Sequence, residues 1–268
     1  MGRDELMDGQ DDILFETLDG GIRRVTFNRP QARNAFTFSM YERLAAFCNE
    51  VAEDKSVRAV ILTGAGEKAF ASGTDINQFR AFKTPEDAIE YEERIGRIVA
   101  TLEACPKPII AAIAGACTGG GGAIAASCDL RIGASNAKFG FPIARTLGNI
   151  LSMGAFSRLI SLIGPSRVKE LIFTARLIEA EEAHRIGLLH EVVQDVAQLQ
   201  DRALELARTV AANAPLTLRA TKEAVARLRP KISSEEGRDL ILMCYMSQDF
   251  REGMDAFLNK RKPEWKGE

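Results

Sequence analysis

The stretch Ile109-Ile-Ala-Ala-Ile-Ala-Gly115-Ala-Cys-Thr-Gly119-Gly-Gly-Gly-Ala123-Ile-Ala-Ala-Ser-Cys-Asp129 decides how the chain folds. Ile109 to Ile113 is an apolar run with no polar face, which reads as a strand covered by protein on both sides. Gly115 and the run from Gly119 follow as a loop, and Gly121 to Ser127 reads as a short helix of small residues. A strand, then a glycine-bearing loop, then a helix start is the pattern of a parallel sheet whose ligands bind at one edge. Glycine lets main chain approach a ligand closely, and a helix N-terminus offers unpaired N–H groups and a positive field.

Upstream the same arrangement occurs again. The apolar run Val57–Leu62 and a Gly64-Ala-Gly66 turn lead into Ala69-Phe-Ala-Ser72-Gly73-Thr74-Asp75-Ile76. Two such loops side by side can aim two amides at one oxygen. The plain alternative is that a glycine cluster before a helix serves only close packing. A dinucleotide fingerprint fits poorly, because the spacing of Gly115, Gly119 and Gly120 is wrong and no acid ends a strand about 20 residues on.

Outward from these loops, Ile13–Leu18 and Ile22–Phe27 flank Asp19-Gly20-Gly21 as a hairpin. Thr37 caps a helix to about Glu53, and Thr84-Pro85-Glu86-Asp87 starts another to about Glu103. Asp129–Ile132 and Ala137–Phe139 read as short strands. Beyond Leu151 strand signals fade and amphipathic helices follow over about 152–161, 166–174, 179–186, 197–213, 215–228, 234–248 and 249–259, with Ser233-x-x-Glu236 as a capping box for one of them.

Composition narrows the function classes. The 268 residues are 46% apolar and 27% charged with a net charge of −2, which gives no reason to expect nucleic acid or an anionic membrane as the main partner. Cys48, Cys105, Cys117, Cys128 and Cys244 form no CxxC pair, and their odd number points to a reducing compartment. With only His184 and His190, both read as structural, no metal site is expected. The acidic N-terminus lacks signal and transit character, and the longest apolar stretch, Ile109–Ala114, is too short to span a bilayer. The expected location is cytoplasmic.

Asn28-Arg-Pro-Gln-Ala-Arg-Asn34-Ala, Phe70-Ala-Ser-Gly-Thr-Asp75-Ile76, the glycine run closing at Cys128-Asp129, Ala137-Lys-Phe-Gly140, and Glu252-Gly-Met-Asp-Ala-Phe-Leu-Asn-Lys260-Arg-Lys-Pro263 together resemble the crotonase superfamily, the enoyl-CoA hydratase/isomerase family. They occur in the family's order and cover about residues 12 to 266. The resemblance implies an α/β fold, a crotonase-like spiral of ββα units holding an acyl-CoA site over 1–200, with a C-terminal helical trimerisation region over 201–268. It implies a homotrimer or a dimer of trimers, and an acyl-CoA thioester as substrate with no separate cofactor. It places oxyanion-hole amides on Thr74 and Gly120. Coenzyme A would run past Gln31, Arg33, Ser72, Asp75, Ile76 and Asn77, with Phe257 and Lys260 reaching its far end. Arg33 and Lys260 equally suit solvated surface charges.

Two positions depart from the family pattern. Typical hydratases of the family carry a glutamate just after the glycine run and another after the Phe-Gly-x-Pro stretch; here those positions hold Ala123 and Ile143. Neither side chain moves protons, and such general acid–base steps are worth ~10²–10⁴ each. The aspartate of the dehalogenase-like branch is replaced by Ile150. Substitute groups are sought among Arg145, Thr146, Asn149, Ser152, Thr118, Glu92 and Glu103. Arg145 suits a substrate carboxylate bidentately or a surface ion pair. Glu92 and Glu103 flank the apolar face of their helix, where a solvated edge is the plain reading. Asp129 fixes local backbone. Two hypotheses follow: an enzyme working through a thioester enolate, or a catalytically silent acyl-CoA-binding scaffold.

Overall fold

The computed structural model describes residues 12–229 and 235–268. In chain order the strands are β1 (Ile13–Leu18), β2 (Ile22–Phe27), β3 (Ala59–Gly64), β4 (Ala69–Ala71), β5 (Ile109–Ile113), β6 (Ala116–Thr118), β7 (Leu130–Ala134), β8 (Lys138–Gly140), β9 (Ile178–Glu179) and β10 (Glu191–Val193). The helices are α1 (Phe38–Glu53), α2 (Pro85–Ala104), α3 (Gly120–Ser127), α4 (Ile143–Thr146), α5 (Met153–Thr174), α6 (Ala180–Arg185), α7 (Val196–Ala211), α8 (Pro215–Leu228), α9 (Arg238–Tyr245) and α10 (Gln248–Leu258).

The strands divide between two sheets. One has the order β1-β2-β3-β5-β7-β10 and is parallel beyond its β1–β2 hairpin; the other has the order β4-β6-β8-β9. Each ββα unit gives its first strand to the large sheet and its second to the small one: β3 then β4, β5 then β6, β7 then β8. That alternation makes the spiral. Because strand side chains alternate, the large sheet feeds two cores. Val60, Leu62, Ile109, Ala111 and Ile113 enter the core under α1, α2 and α3. Ala59, Ile61, Ile110 and Ala112 enter the other, covered by Leu199, Ala203 and Ala207 of α7.

Both expected caps form. Thr37 accepts from the Met40 N–H, and Thr84 and Asp87 make a reciprocal capping box at the start of α2. The helices expected over 152–161 and 166–174 join as α5 across a kink at Gly164, next to Pro165. The capping box at Ser233 lies outside the described residues, as do residues 1–11. The 234–248 helix is shorter than expected: α9 runs from Arg238 to Tyr245, and Ser247 caps α10 instead.

The boundary expected at 200/201 lies within a helix, α7, which lies across the large sheet and closes its second core, so packing is continuous there. Ile241 and Tyr245 of α9 and Phe250 of α10 share a core with Phe79, Ala88 and Tyr91 of the same chain. Among the described residues no helix is long and apolar enough to cross a membrane.

Candidate active site

The small sheet positions the site. Ala69 pairs with Ala116, and Ala116 to Thr118 pair in parallel with Lys138 to Gly140. The C-terminal ends of β4, β6 and β8 are therefore neighbours, and the segments 72–75, 119–120 and 141–145 leave the same edge. Thr118 Oγ1 donates to the Ser72 carbonyl at 3.1 Å, tying the first two together.

Each loop exposes one amide. Phe36 N–H donates to Gly73 O and Asp75 N–H to Phe36 O, both at 2.8 Å, a parallel bridge that leaves the Thr74 N–H out of its ladder. Gly119, with φ 53° and ψ −124°, turns the chain into α3 in a conformation that side chains rarely adopt. Gly120 is the first residue of α3, so its N–H is one of the donors a helix cannot pair internally. Among the described residues neither N–H enters a turn, loop or cap hydrogen bond. The loops touch: a Cβ on Gly73 would lie 3.4 Å from the Gly120 nitrogen. A Cβ on Gly120 would lie 2.2 Å from Tyr41 Oη, so a side chain at position 120 would have to displace the buried Tyr41 ring.

The supporting structure was not legible as a site. The chain has three tyrosines, Tyr41, Tyr91 and Tyr245, and all of them gather here. Thr74 Oγ1 lies 3.0 Å from Tyr41 Oη and 2.8 Å from Tyr91 Oη. The Tyr91 and Tyr245 rings are 6.2 Å apart. Tyr245 Oη donates to Glu92 Oε1 at 2.6 Å and accepts from Asn149 Nδ2 at 3.2 Å. Tyr91 reads as an ordinary apolar helix position and Tyr245 lies 153 residues from Glu92, so only the scarcity of tyrosine hinted at the cluster. Burial pushes all three phenols up, and it pushes the Glu92 carboxyl up to about 7 against the opposing Tyr245 hydrogen bond.

The other substitute groups have structural tasks. Glu103 is enclosed by Arg158 and Arg229. Thr146 Oγ1 donates to Pro142 O, and Ser152 caps α5. Asp129 accepts from Ile109 N–H and Lys222, the backbone-fixing role expected of it. His184 and His190 bond to the main chain of Leu189 and Arg131. Glu92 is not on a solvated edge; it is partly buried and bound to Tyr245. Ala123 and Ile143 are both buried, and Arg145 is exposed at the end of α4 without an ion pair among the described residues.

Of the residues expected along coenzyme A, Gln31 and Arg33 are exposed on the loop before α1, and Ser72 N–H donates to Arg33 O, joining the two segments. Asp75 is already engaged: Oδ1 accepts from Asn77 and Oδ2 from Arg29. Ile76 packs against the Tyr91–Tyr245 core. Phe257 and Lys260 are exposed at the end of α10, and no hydrogen bond or ion pair joins them to the other loops among the described residues. Tyr245 also lines a recess of about 280 Å³ with Phe82, Met246, Phe250 and Met254, which neither Thr74 nor Gly120 reaches. Among the described residues no cluster of three or more His, Cys, Asp or Glu suits a metal.

A profile described as enoyl-CoA hydratase/isomerase matches residues 17–268. A short-chain-enoyl-CoA hydratase of Clostridium acetobutylicum is 38% identical over 251 residues, covering 92% of this chain and 94% of the relative. A crystal structure of an enoyl-CoA hydratase/carnithine racemase from Magnetospirillum magneticum superposes with a TM-score of 0.78 at 36% identity, covering 97% of both chains. A methylmalonyl-CoA decarboxylase in complex with 2-nitronate-propionyl-CoA superposes with a TM-score of 0.85 at 30% identity, covering 96% of this chain and 98% of that one.

Proposed function

The chain belongs to the enoyl-CoA hydratase/isomerase family, and on that premise we propose that it is an enzyme that binds an acyl-coenzyme A thioester and stabilises its enolate. The thioester oxygen lies between the N–H groups of Thr74 and Gly120. One observation carries this reading: two loops from neighbouring strands present unused main-chain donors in contact with each other. As charge moves onto the oxygen, each donor gains strength at no cost of reorganisation, and one such donor is typically worth ~10²–10³ in rate. A scaffold has no use for a side-chain-free position pressed against Tyr41, and the relatives with printed functions are named as enzymes.

Coenzyme A runs along Gln31, Arg33, Ser72 and Ile76. Asp75 and Asn77 contribute main chain, since their side chains hold the turn. Phe257 and Lys260 meet the far end of the cofactor portion, within one chain or between copies. We further propose association of copies through α8, which leaves Leu216, Val225 and Leu228 exposed at 64% or more. Hydration through a pair of glutamates at positions 123 and 143 is not available to alanine and isoleucine. A decarboxylation is favoured as a second reading by Arg145 at the same sheet edge, which is exposed and has no ion pair among the described residues, a fork for a substrate carboxylate.

The test is a panel of enoyl-, hydroxyacyl- and dicarboxylyl-CoA thioesters followed by mass spectrometry, with affinity measured by calorimetry. Binding of the panel, and turnover of at least one member, is the expected result. Absence of affinity for every coenzyme A derivative would remove the reading.

A further inference from the structure

Resting on the thioester reading above, we infer that Glu92 is the proton-transfer group of this site, held in place by Tyr245 from the C-terminal helix α9. Tyr91 and Glu92 are adjacent on α2. The Tyr91 hydroxyl reaches Oγ1 of Thr74, the residue whose N–H is one oxyanion donor, and Tyr41 Oη, bonded to that same Oγ1, fills the space a Cβ would need at Gly120, the residue that carries the other donor. The helix carrying Glu92 is thus joined by side-chain hydrogen bonds to the Thr74 half of the oxyanion hole, and the tyrosine that shares Thr74 Oγ1 packs against the Gly120 half.

Glu92 is also the one candidate carboxylate here that is not already neutralised. Glu103 is taken by two arginines, and Asp75 by Arg29 and Asn77. Glu92 has no ion pair among the described residues; Oε1 accepts from Tyr245, Oε2 has no partner, and the residue remains partly accessible. Around it lie Tyr41 from α1, Tyr91 on its own helix, and Tyr245 from α9. Asn149, on the loop from the third strand edge, completes the set. Its Nδ2 is fixed on Tyr245, and its Oδ1 is buried with no hydrogen-bond partner among the described residues.

The step balances without a co-reactant. The Glu92 carboxylate takes a proton from the carbon next to the thioester carbonyl. The C–H electron pair becomes the new C–C π bond, and the carbonyl pair moves onto the oxygen held by Thr74 and Gly120. Return of the proton from Glu92 to carbon, at the same atom or at the end of a conjugated system, restores the carboxylate. A carboxyl poised near 7 suits a group that must both accept and return a proton near neutrality.

The test is hydrogen–deuterium exchange at the α-carbon of butyryl-CoA in D2O, read by mass spectrometry, beside calorimetric affinity for the same thioester. The full chain exchanges, with a rate that rises with pH through about 7 and then levels. Glu92→Gln loses exchange by about 10²-fold or more with affinity retained, Glu92→Asp recovers part of it, and Glu93→Gln leaves it unchanged. Tyr245→Phe removes a hydrogen bond that favours the charged carboxylate, so the pH midpoint moves upward. Undiminished exchange in Glu92→Gln overturns the inference. So does a wild-type protein that binds butyryl-CoA without exchanging it, which leaves the thioester reading standing. Loss of wild-type binding overturns both.

Discussion

At the scale of single residues, much of what looks like a ligand-binding motif holds the loops in place. Asn34 is fully buried with φ 54°; its Nδ2 donates to Ala69 O at 2.7 Å and Ala65 O at 3.1 Å, and its Oδ1 accepts from Arg29 N–H at 2.9 Å. Asn34→Ala strands these three main-chain groups and puts alanine in a left-handed conformation. At about 1 kcal/mol per bond, with a further backbone penalty, the expected loss is about 3 kcal/mol or more. A fall in the urea midpoint at unchanged slope measures it. Glu92 carries a cost of the opposite kind. Its folded carboxyl is raised from the ordinary 4.5 to about 7, so the unfolded chain releases this proton first as pH rises. Wild-type stability therefore falls between those two values and is flat beyond them on either side, as far as this group is concerned. Glu92→Gln is expected to match the wild type below the window and to exceed it above. Urea unfolding on both sides of the window gives the sign directly.

At the scale of elements, legibility tracked length and periodicity. The apolar run Ile109–Ile113 and the hairpin β1–β2 appear at their expected limits, because a strand of five or six residues can show a burial pattern. β4, β6 and β8 have three residues each, and β9 has two. Such segments carry no periodic signal, yet their pairing places the two donor loops side by side. The glycine pattern marked the two loops and the family resemblance named Thr74 and Gly120 within them; the second, smaller sheet that brings the loops into contact was not legible. α3 shows a similar dependence on distant residues. Arg131, almost wholly buried, caps its C-terminal end by donating to Cys128 O at 2.6 Å, and it reaches Leu188 O at 2.8 Å. A cation there also favours the helix dipole that polarises Gly120 at the opposite end. Arg131→Met leaves those carbonyls unpaired at about 1–3 kcal/mol each. The expected result is a clear drop in thermal midpoint, with affinity for butyryl-CoA impaired in the molecules that remain folded.

For the whole molecule, the fold brings three distant segments to one place: α1 with Tyr41, α2 with Tyr91 and Glu92, and α9 with Tyr245. No local reading finds such a set, because sequence periodicity reports which face of a helix is buried and not what it is buried against. The helical C-terminal region was legible as helices; its closure over the site of its own chain was not. α8 behaves differently. It buries none of its residues, and is anchored by Lys222, which pairs with Asp129 at 2.5 Å and donates to Lys107 O at 3.0 Å. Copies that meet through this helix should separate when Leu216 and Leu228 are both changed to Glu. Sedimentation velocity is then expected to show a smaller species with unchanged secondary structure.

The central claim concerns one oxygen atom, and isotope-edited infrared spectroscopy reports on it most directly. Butyryl-CoA carrying 13C at the thioester carbonyl is compared free and bound. Two main-chain donors converging on that oxygen weaken the C=O bond, so the labelled stretch of the bound thioester moves to lower wavenumber and narrows. A bound thioester whose carbonyl stretch stays at its solution position, or moves upward as in an apolar pocket, would contradict the account.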